Sequence, residues 1–262
     1  MDDSERGAHY VQSLERGLAV IRAFNADAPA LTLTDVAKAT GLTRAAARRF
    51  LLTLADLGYV RTDGKLFSLT ARVLELGYAF LSSMSLPEIA QPHLERLSGE
   101  VRESTSASVL DGADVVYVAR FAVSRIMAVS ITVGTRFPAY ATSMGHVLLA
   151  GLTAAELERY LATVRLEPLT SHTITSAERL REELDVVREQ GWALVDQELE
   201  EGLRSVAAPV RDRTGRVVAA VNVSSHASRT SLERIRAETV PPLLATCAAI
   251  EKDLAADPRP HV

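Results

Sequence analysis

The run Thr43-Arg44-Ala45-Ala46-Ala47-Arg48-Arg49 places three guanidinium groups among alanines. Small side chains let a helix press into a major groove about 12 Å wide, alanine methyls meet thymine methyls, and arginines reach guanine edges or phosphate. Thr43, just ahead of the run, leaves the first helical amides free to face a phosphate. Lys65 lies further along, where it would meet a nucleic-acid backbone. A solvated basic helix in a structural module is the plainer reading of the same residues. The elements around the run decide between the two.

Leu14, Leu18, Ile21 and Phe24, with Val20 beside them, recur at helical spacing and mark a helix ending near Asn25. Thr32 with Asp35 three residues on has the form of a capping box, with the shorter carboxylate in place of Glu. The helix behind it would bury Leu33, Val36 and Ala37 and stop at Gly41. Thr43 then caps a third helix through about Leu57, with Ala47, Phe50, Leu51 and Leu54 inward. Asp63-Gly64 between two short β-prone runs is a hairpin signal. Helix, short turn, basic helix and hairpin in this order give a winged helix-turn-helix closing near Thr70. In that setting Thr32, Thr43, Arg44, Ala45, Ala46, Arg48, Arg49 and Lys65 are the expected DNA-facing residues.

Charge supports this once it is divided along the chain. The whole protein has 262 residues and a net charge of -4, but residues 1–70 balance at +1 and the remainder at -5. Within residues 41–72 six basic side chains face only Asp56 and Asp63, a local excess that attracts phosphate while the acidic remainder limits non-specific binding. The polar N-terminus reads as neither signal nor anchor, no apolar run approaches the ~18 residues of a membrane span, and Cys247 is the single cysteine. Those features point to the cytoplasm and exclude an intrachain disulfide framework.

At ~100–200 residues per domain the length suggests two domains. Residues 10–70 form the first, residues 71–84 a linker helix with Val73, Leu76 and Phe80 as candidate dimer contacts, and residues 85–256 the second. The second alternates strands (107–110, 115–121, 126–133, 192–198, 204–211, 217–224) with helices (142–150, 154–162, 176–190, and one from 229 to 254), an α+β pattern with a mainly antiparallel sheet. Its chemistry is not that of a familiar enzyme: no Gly-x-Ser-x-Gly elbow, phosphate loop or His-Glu-x-x-His occurs. Six scattered histidines offer no ligand spacing, so neither metal nor cofactor is expected. Asp196, Glu198, Glu200 and Glu201 read as an acidic loop rim more readily than as a paired-carboxylate site. A small-molecule enzyme with an accessory DNA- or partner-binding domain is the alternative, and turnover of the ligand would separate the two.

Thr32 to Asp63, with Leu33-Thr34-Asp35-Val36-Ala37 and Thr40-Gly41-Leu42-Thr43 leading into the basic helix, resembles the DNA-binding domain of the IclR family of bacterial regulators. The resemblance is strongest to the branch controlling protocatechuate, 4-hydroxybenzoate and β-ketoadipate catabolism. It extends through Leu86-Pro87-Glu88-Ile89-Ala90-Gln91-Pro92, residues 138–150 and residues 202–210, and so covers roughly residues 10–254; His146 departs from it, since many members carry Lys there. It implies a GAF-like effector domain binding a small organic acid, a double-stranded operator, and a homodimer or homotetramer. The positions matching the family's pocket are Ser143 and Met144 at a helix start, Ser205, and Asn222 with Ser224, which lie two apart and so share one face of a strand. The same polar residues also suit caps and turns. A carboxylate ligand wants a fixed cation, and arginine grips it through two parallel hydrogen bonds. Arg120 at the end of a strand is the choice, with Arg125 and Arg136 as neighbours and a surface salt bridge as its plainer role.

Overall fold

The computed structural model describes residues 9–25, 27–81, 85–123 and 131–257. Two compact units divide near residue 80.

In the first unit, α1 (Gln12–Arg22), β1 (Ala30–Thr32), α2 (Leu33–Thr40) and α3 (Arg44–Asp56) precede the wing strands β2 (Val60–Thr62) and β3 (Leu66–Leu69). The Thr32 hydroxyl accepts from the Asp35 amide at 3.3 Å, and the Asp35 carboxylate accepts from the Thr32 amide at 3.0 Å, which satisfies two of the amides a helix start leaves free. Gly41 ends α2 at φ +67°, a conformation that penalises any Cβ. Asp63 accepts from the Lys65 and Leu66 amides, and Gly64 takes φ +96°, which closes the wing. Val20, Val36, Ala47, Leu51 and Val60 form the core. β1 pairs with β3, giving the sheet order β1-β3-β2. A three-residue strand with a distant partner leaves no periodic trace in the sequence. Leu14 and Leu18 are not part of the core: they are 63% and 44% exposed, while Val20 and Phe24 are buried. After a 3-10 turn at Ala71–Val73 comes α4 (Leu74–Leu81). The linker residues 82–84 and the side chain of Phe80 lie outside what is described.

The second unit holds α5 (Leu86–Val101), β4 (Ser104–Asp111), β5 (Asp114–Phe121), β6 (Arg136–Pro138), α6 (Ser143–Ala150), α7 (Ala154–Thr163), α8 (Ala177–Gln190), β7 (Ala193–Asp196), β8 (Leu203–Arg211), β9 (Val217–His226), α9 (Leu232–Arg234) and α10 (Val240–Ala256). Its six described strands are antiparallel throughout, in the order β6-β5-β4-β9-β8-β7. α5 and α10 bury Leu94, Leu97, Leu243 and Ile250 on one face of this sheet. α6, α7 and α8 bury Met144, Leu149, Leu157, Leu180 and Leu184 on the other.

Two expectations need correction here. Residues 131–133 form no strand, and the third strand is instead β6; most of 126–133 lies outside the described residues. The expected helix 229–254 is interrupted: a π turn at Ile235–Thr239 separates α9 from α10. Pro241 and Pro242 cause this, because neither can donate to a preceding carbonyl, and both are tolerated only in the first turn of a new helix.

Candidate functional site

The two candidate sites occupy different units. In the first, the Thr43 hydroxyl accepts from the Ala46 amide at 3.2 Å and starts α3. Ala47, Leu51 and Leu54 turn inward, which leaves Arg44, Ala45, Arg48 and Arg49 exposed and Ala46 half-buried. The guanidinium groups of Arg44, Arg48 and Arg49 have no ion-pair or hydrogen-bond partner among the described residues. These three free guanidinium groups stand on one helix, whereas arginines such as Arg181 and Arg204 are tied to Glu158 and Asp196. Lys65 is exposed at the wing tip. Thr32 caps α2 and is half-buried.

In the second unit, cross-strand register builds a polar face across the centre of the sheet. Ser106 pairs with both Arg120 and Asn222, and Ser224 with both Ser104 and Ser205. Opposed residues in an antiparallel pair point to the same side, so all six face α6. A bulge between Ala107 and Ser108 brings Tyr117 there as well, opposite Ser108. Without the bulge Tyr117 and Arg120, three apart, would point to opposite faces. Val118 and Ala119 both go to the other core instead.

Ser143 at the start of α6 meets Ser205 at 2.8 Å, and the Asn222 amide donates to Ser224 at 3.0 Å. Thr142 caps α6 through the Gly145 amide at 3.0 Å. Arg120 donates to Ser106 at 3.0 Å. Burial holds its guanidinium below the ordinary arginine value, partly offset by the nearby Tyr117 hydroxyl, and burial pushes Tyr117 up to about 12. Three atoms of this face are buried without a partner among the described residues: Arg120 Nε, Ser108 Oγ and Asn222 Oδ1. Each such atom costs about 1–3 kcal/mol if nothing meets it.

The cavity between these groups is small, about 10 Å³, bordered by Tyr117, Thr142, Leu203, Ser205, Asn222 and Ser224. Of the expected effector residues, Ser205, Asn222 and Ser224 border it directly. Ser143 reaches it through Ser205, and Arg120 lies on the same face two strands from Asn222. Met144 is wholly buried among the apolar residues of α6. Ser104, Ser106, Ser108, Thr142 and Tyr117 were not expected, although serines at 104, 106 and 108 carry the period-two signal of a strand face. Arg136 is fully committed, to Asp111 at 2.6 Å and Asp114 at 3.0 Å, and Arg125 lies outside the described residues. A larger cavity of about 500 Å³ opens on the opposite face of β8 and β9, where Arg229 is engaged with Glu103 and Arg234 with Glu238, and Glu100 and Glu238 line the same space as Arg102.

A winged helix-turn-helix with an uncommitted basic helix, joined to a sheet domain with orphaned polar groups at its centre, defines a DNA-binding regulator with a small-molecule sensing domain. Comparison with known proteins gives the family. The IclR helix-turn-helix domain matches residues 13–64, and the bacterial transcriptional regulator IclR C-terminal domain matches residues 78–252. The chain is 45% identical to the Pca regulon regulatory protein of Pseudomonas putida, over 90% of this chain and 81% of that protein. It is 38% identical to the p-hydroxybenzoate hydroxylase transcriptional activator of Acinetobacter baylyi, over 90% and 89% respectively. The crystal structure of an IclR homologue from Microbacterium hydrocarbonoxydans, complexed with 4-hydroxybenzoate, superposes with a TM-score of 0.82 at 28% identity and covers 94% of this chain and all of that one. This protein belongs to the IclR family. It is a transcriptional regulator and not an enzyme. No helix among its described residues is long and apolar enough to cross a membrane.

Proposed function

We propose that the protein regulates a catabolic operon for aromatic acids, and that a hydroxylated aromatic acid such as 4-hydroxybenzoate is its effector. The observation that carries this reading is the trio of unpartnered atoms, Arg120 Nε, Ser108 Oγ and Asn222 Oδ1, on one buried face. They are chemically unlike. The guanidinium donates to a carboxylate, whereas the amide oxygen accepts from a phenol. Arg120 and Asn222 stand two strands apart, roughly 10 Å between backbones, and side chains reaching inward leave a span that one benzene ring with para substituents fills. In this reading Ser143, Met144, Ser205 and Ser224 complete the pocket, and the ligand must spread the side chains that now leave only about 10 Å³.

The same reading assigns residues 10–70 to operator binding through Thr32, Thr43, Arg44, Ala45, Ala46, Arg48, Arg49 and Lys65. Residues 71–84 form the link, residues 85–256 sense the effector, and the protein works in the cytoplasm, where its operator is. It acts as a homodimer, because one recognition helix reads too few base pairs for genomic specificity. Val11, Leu14 and Leu18 form an exposed apolar stripe along α1, and Leu74 and Leu76 are 70% and 51% exposed on α4; a second copy covers them. The test is operator binding by the purified full-length protein with and without 4-hydroxybenzoate, with the acid assayed before and after. A shift in operator affinity with the acid intact supports the proposal; consumption of the acid, or no shift across a panel of hydroxybenzoates, overturns it.

A further inference from the structure

We propose that a cleft between α1 and α3 clamps one backbone phosphate of the operator through Arg16 and Arg49, which leaves Arg48 as the arginine that reads bases. The cleft, about 310 Å³, sets Gln12, Ser13 and Arg16 of α1 against Ala46, Arg49 and Phe50 of α3. No acidic residue lines it among those described. Its two guanidinium groups have no ion-pair or hydrogen-bond partner among the described residues, whereas the larger cavity of the second unit is lined by Glu100, Glu103 and Glu238 alongside its arginines. A cavity bordered by two unmatched cations, the hydroxyls of Ser13 and Thr53 and the Gln12 amide suits a phosphodiester oxygen, which accepts hydrogen bonds and carries the opposite charge.

Helical geometry separates the two neighbouring arginines. Successive residues turn by about 100°, so Arg48 and Arg49 project to different flanks of α3, with Ala45 between them three and four residues back. Arg49 points toward α1 and joins Arg16. Arg48 shares its flank with Arg44, away from α1, and lies over the groove floor once the Ala45 face approaches the bases. Arg16 is half-buried, so its stem is already packed, and a planar guanidinium held in place loses little freedom on binding.

This rests on α3 being the helix that enters the groove, and the experiment keeps the two ideas apart. The full-length protein is used to select duplexes from a random library, and binding to the selected operator and all its single-base variants is measured at several salt concentrations. Arg16→Gln and Arg49→Gln are each expected to weaken every duplex by a similar factor, roughly tenfold, and to lower the salt slope by about 0.9. Arg16→Lys, which keeps the charge, should retain the wild-type slope. Arg48→Ala should instead relax preference at one operator position. Thermal unfolding of each variant checks that α1 is still folded. Unchanged affinity and slope in Arg16→Gln overturn the clamp, as does relaxed preference at one position in Arg49→Gln. If no single arginine of α3 affects binding, the placement of α3 itself is wrong.

Discussion

Gly145→Ala tests how closely α6 must approach the sheet for Ser143 to meet Ser205. A Cβ on Gly145 would lie 2.5 Å from both the Cα and the carbonyl carbon of Ala139, and nearer still to its oxygen, where real contacts stay beyond 3.0 Å. The obstacle is backbone in a 3-10 turn, so no side chain can swing aside; to clear the carbonyl oxygen as well, the turn and α6 must part by roughly an ångström. The Ser143–Ser205 bond, now 2.8 Å, then stretches past the 3.0 Å or so that bounds an O–H···O hydrogen bond. Overpacking costs about 1–3 kcal/mol, and the weakened buried bond adds about 1 kcal/mol. For a unit of this size that corresponds to a fall of roughly 5–15 °C in Tm. Differential scanning calorimetry of the full-length protein reads this directly, with titration of 4-hydroxybenzoate as the companion measurement. Wild-type Tm and wild-type affinity together in Gly145→Ala would refute the reasoning, because they would mean that α6 has room to spare.

Three further outcomes are expected. His146 is fully buried and donates from Nε2 to the Tyr140 carbonyl at 2.7 Å; burial lowers its pKa from 6.5 to about 4, partly opposed by that bond. The unfolded chain therefore binds a proton at higher pH than the folded one, so His146 contributes full stability above pH 6.5 and loses about 3 kcal/mol of it as pH falls to 4; His146→Gln should remove that part of the acid sensitivity in paired urea titrations. Arg136→Ala breaks only contacts at the sheet edge, half in solvent, and should change stability by less than about 1 kcal/mol with ligand affinity intact in the same titration. Leu14→Glu with Leu18→Glu, placing charge on the exposed stripe of α1, should shift sedimentation toward monomer and weaken operator binding at least tenfold, while the second unit still binds its ligand.

Local signals were legible in the sequence and distant pairings were not. Thr32 with Asp35, Gly41, and Asp63-Gly64 act within a few residues, and each sits where its chemistry requires. β1 escaped notice because its partner is more than thirty residues away. Leu14 and Leu18 share helical spacing with Ile21, yet spacing alone does not say which side of a helix the core occupies. In the second unit Ser143, Ser205, Asn222 and Ser224 were visible residue by residue, but the serines of β4 and the face that all of them share were not. It depends on the order β5-β4-β9-β8 and on the bulge at Val118, which turns Tyr117 and Arg120 to one side. In the sequence, strand-end position alone favours Arg120 over Arg136; that Asp111 and Asp114 take up Arg136 is visible only in the structure.

The most direct test of the central claim is calorimetric titration of 4-hydroxybenzoate into the wild-type protein, Arg120→Ala and Arg120→Lys, with operator binding as the control for folding. An anion in a buried site must be paired, so Arg120→Ala should lose about 1–3 kcal/mol, several-fold to a hundred-fold or so in affinity, and Arg120→Lys should recover little because the two-pronged geometry is gone. Wild-type affinity in Arg120→Ala, with the operator still bound, would contradict the assignment and place the carboxylate elsewhere.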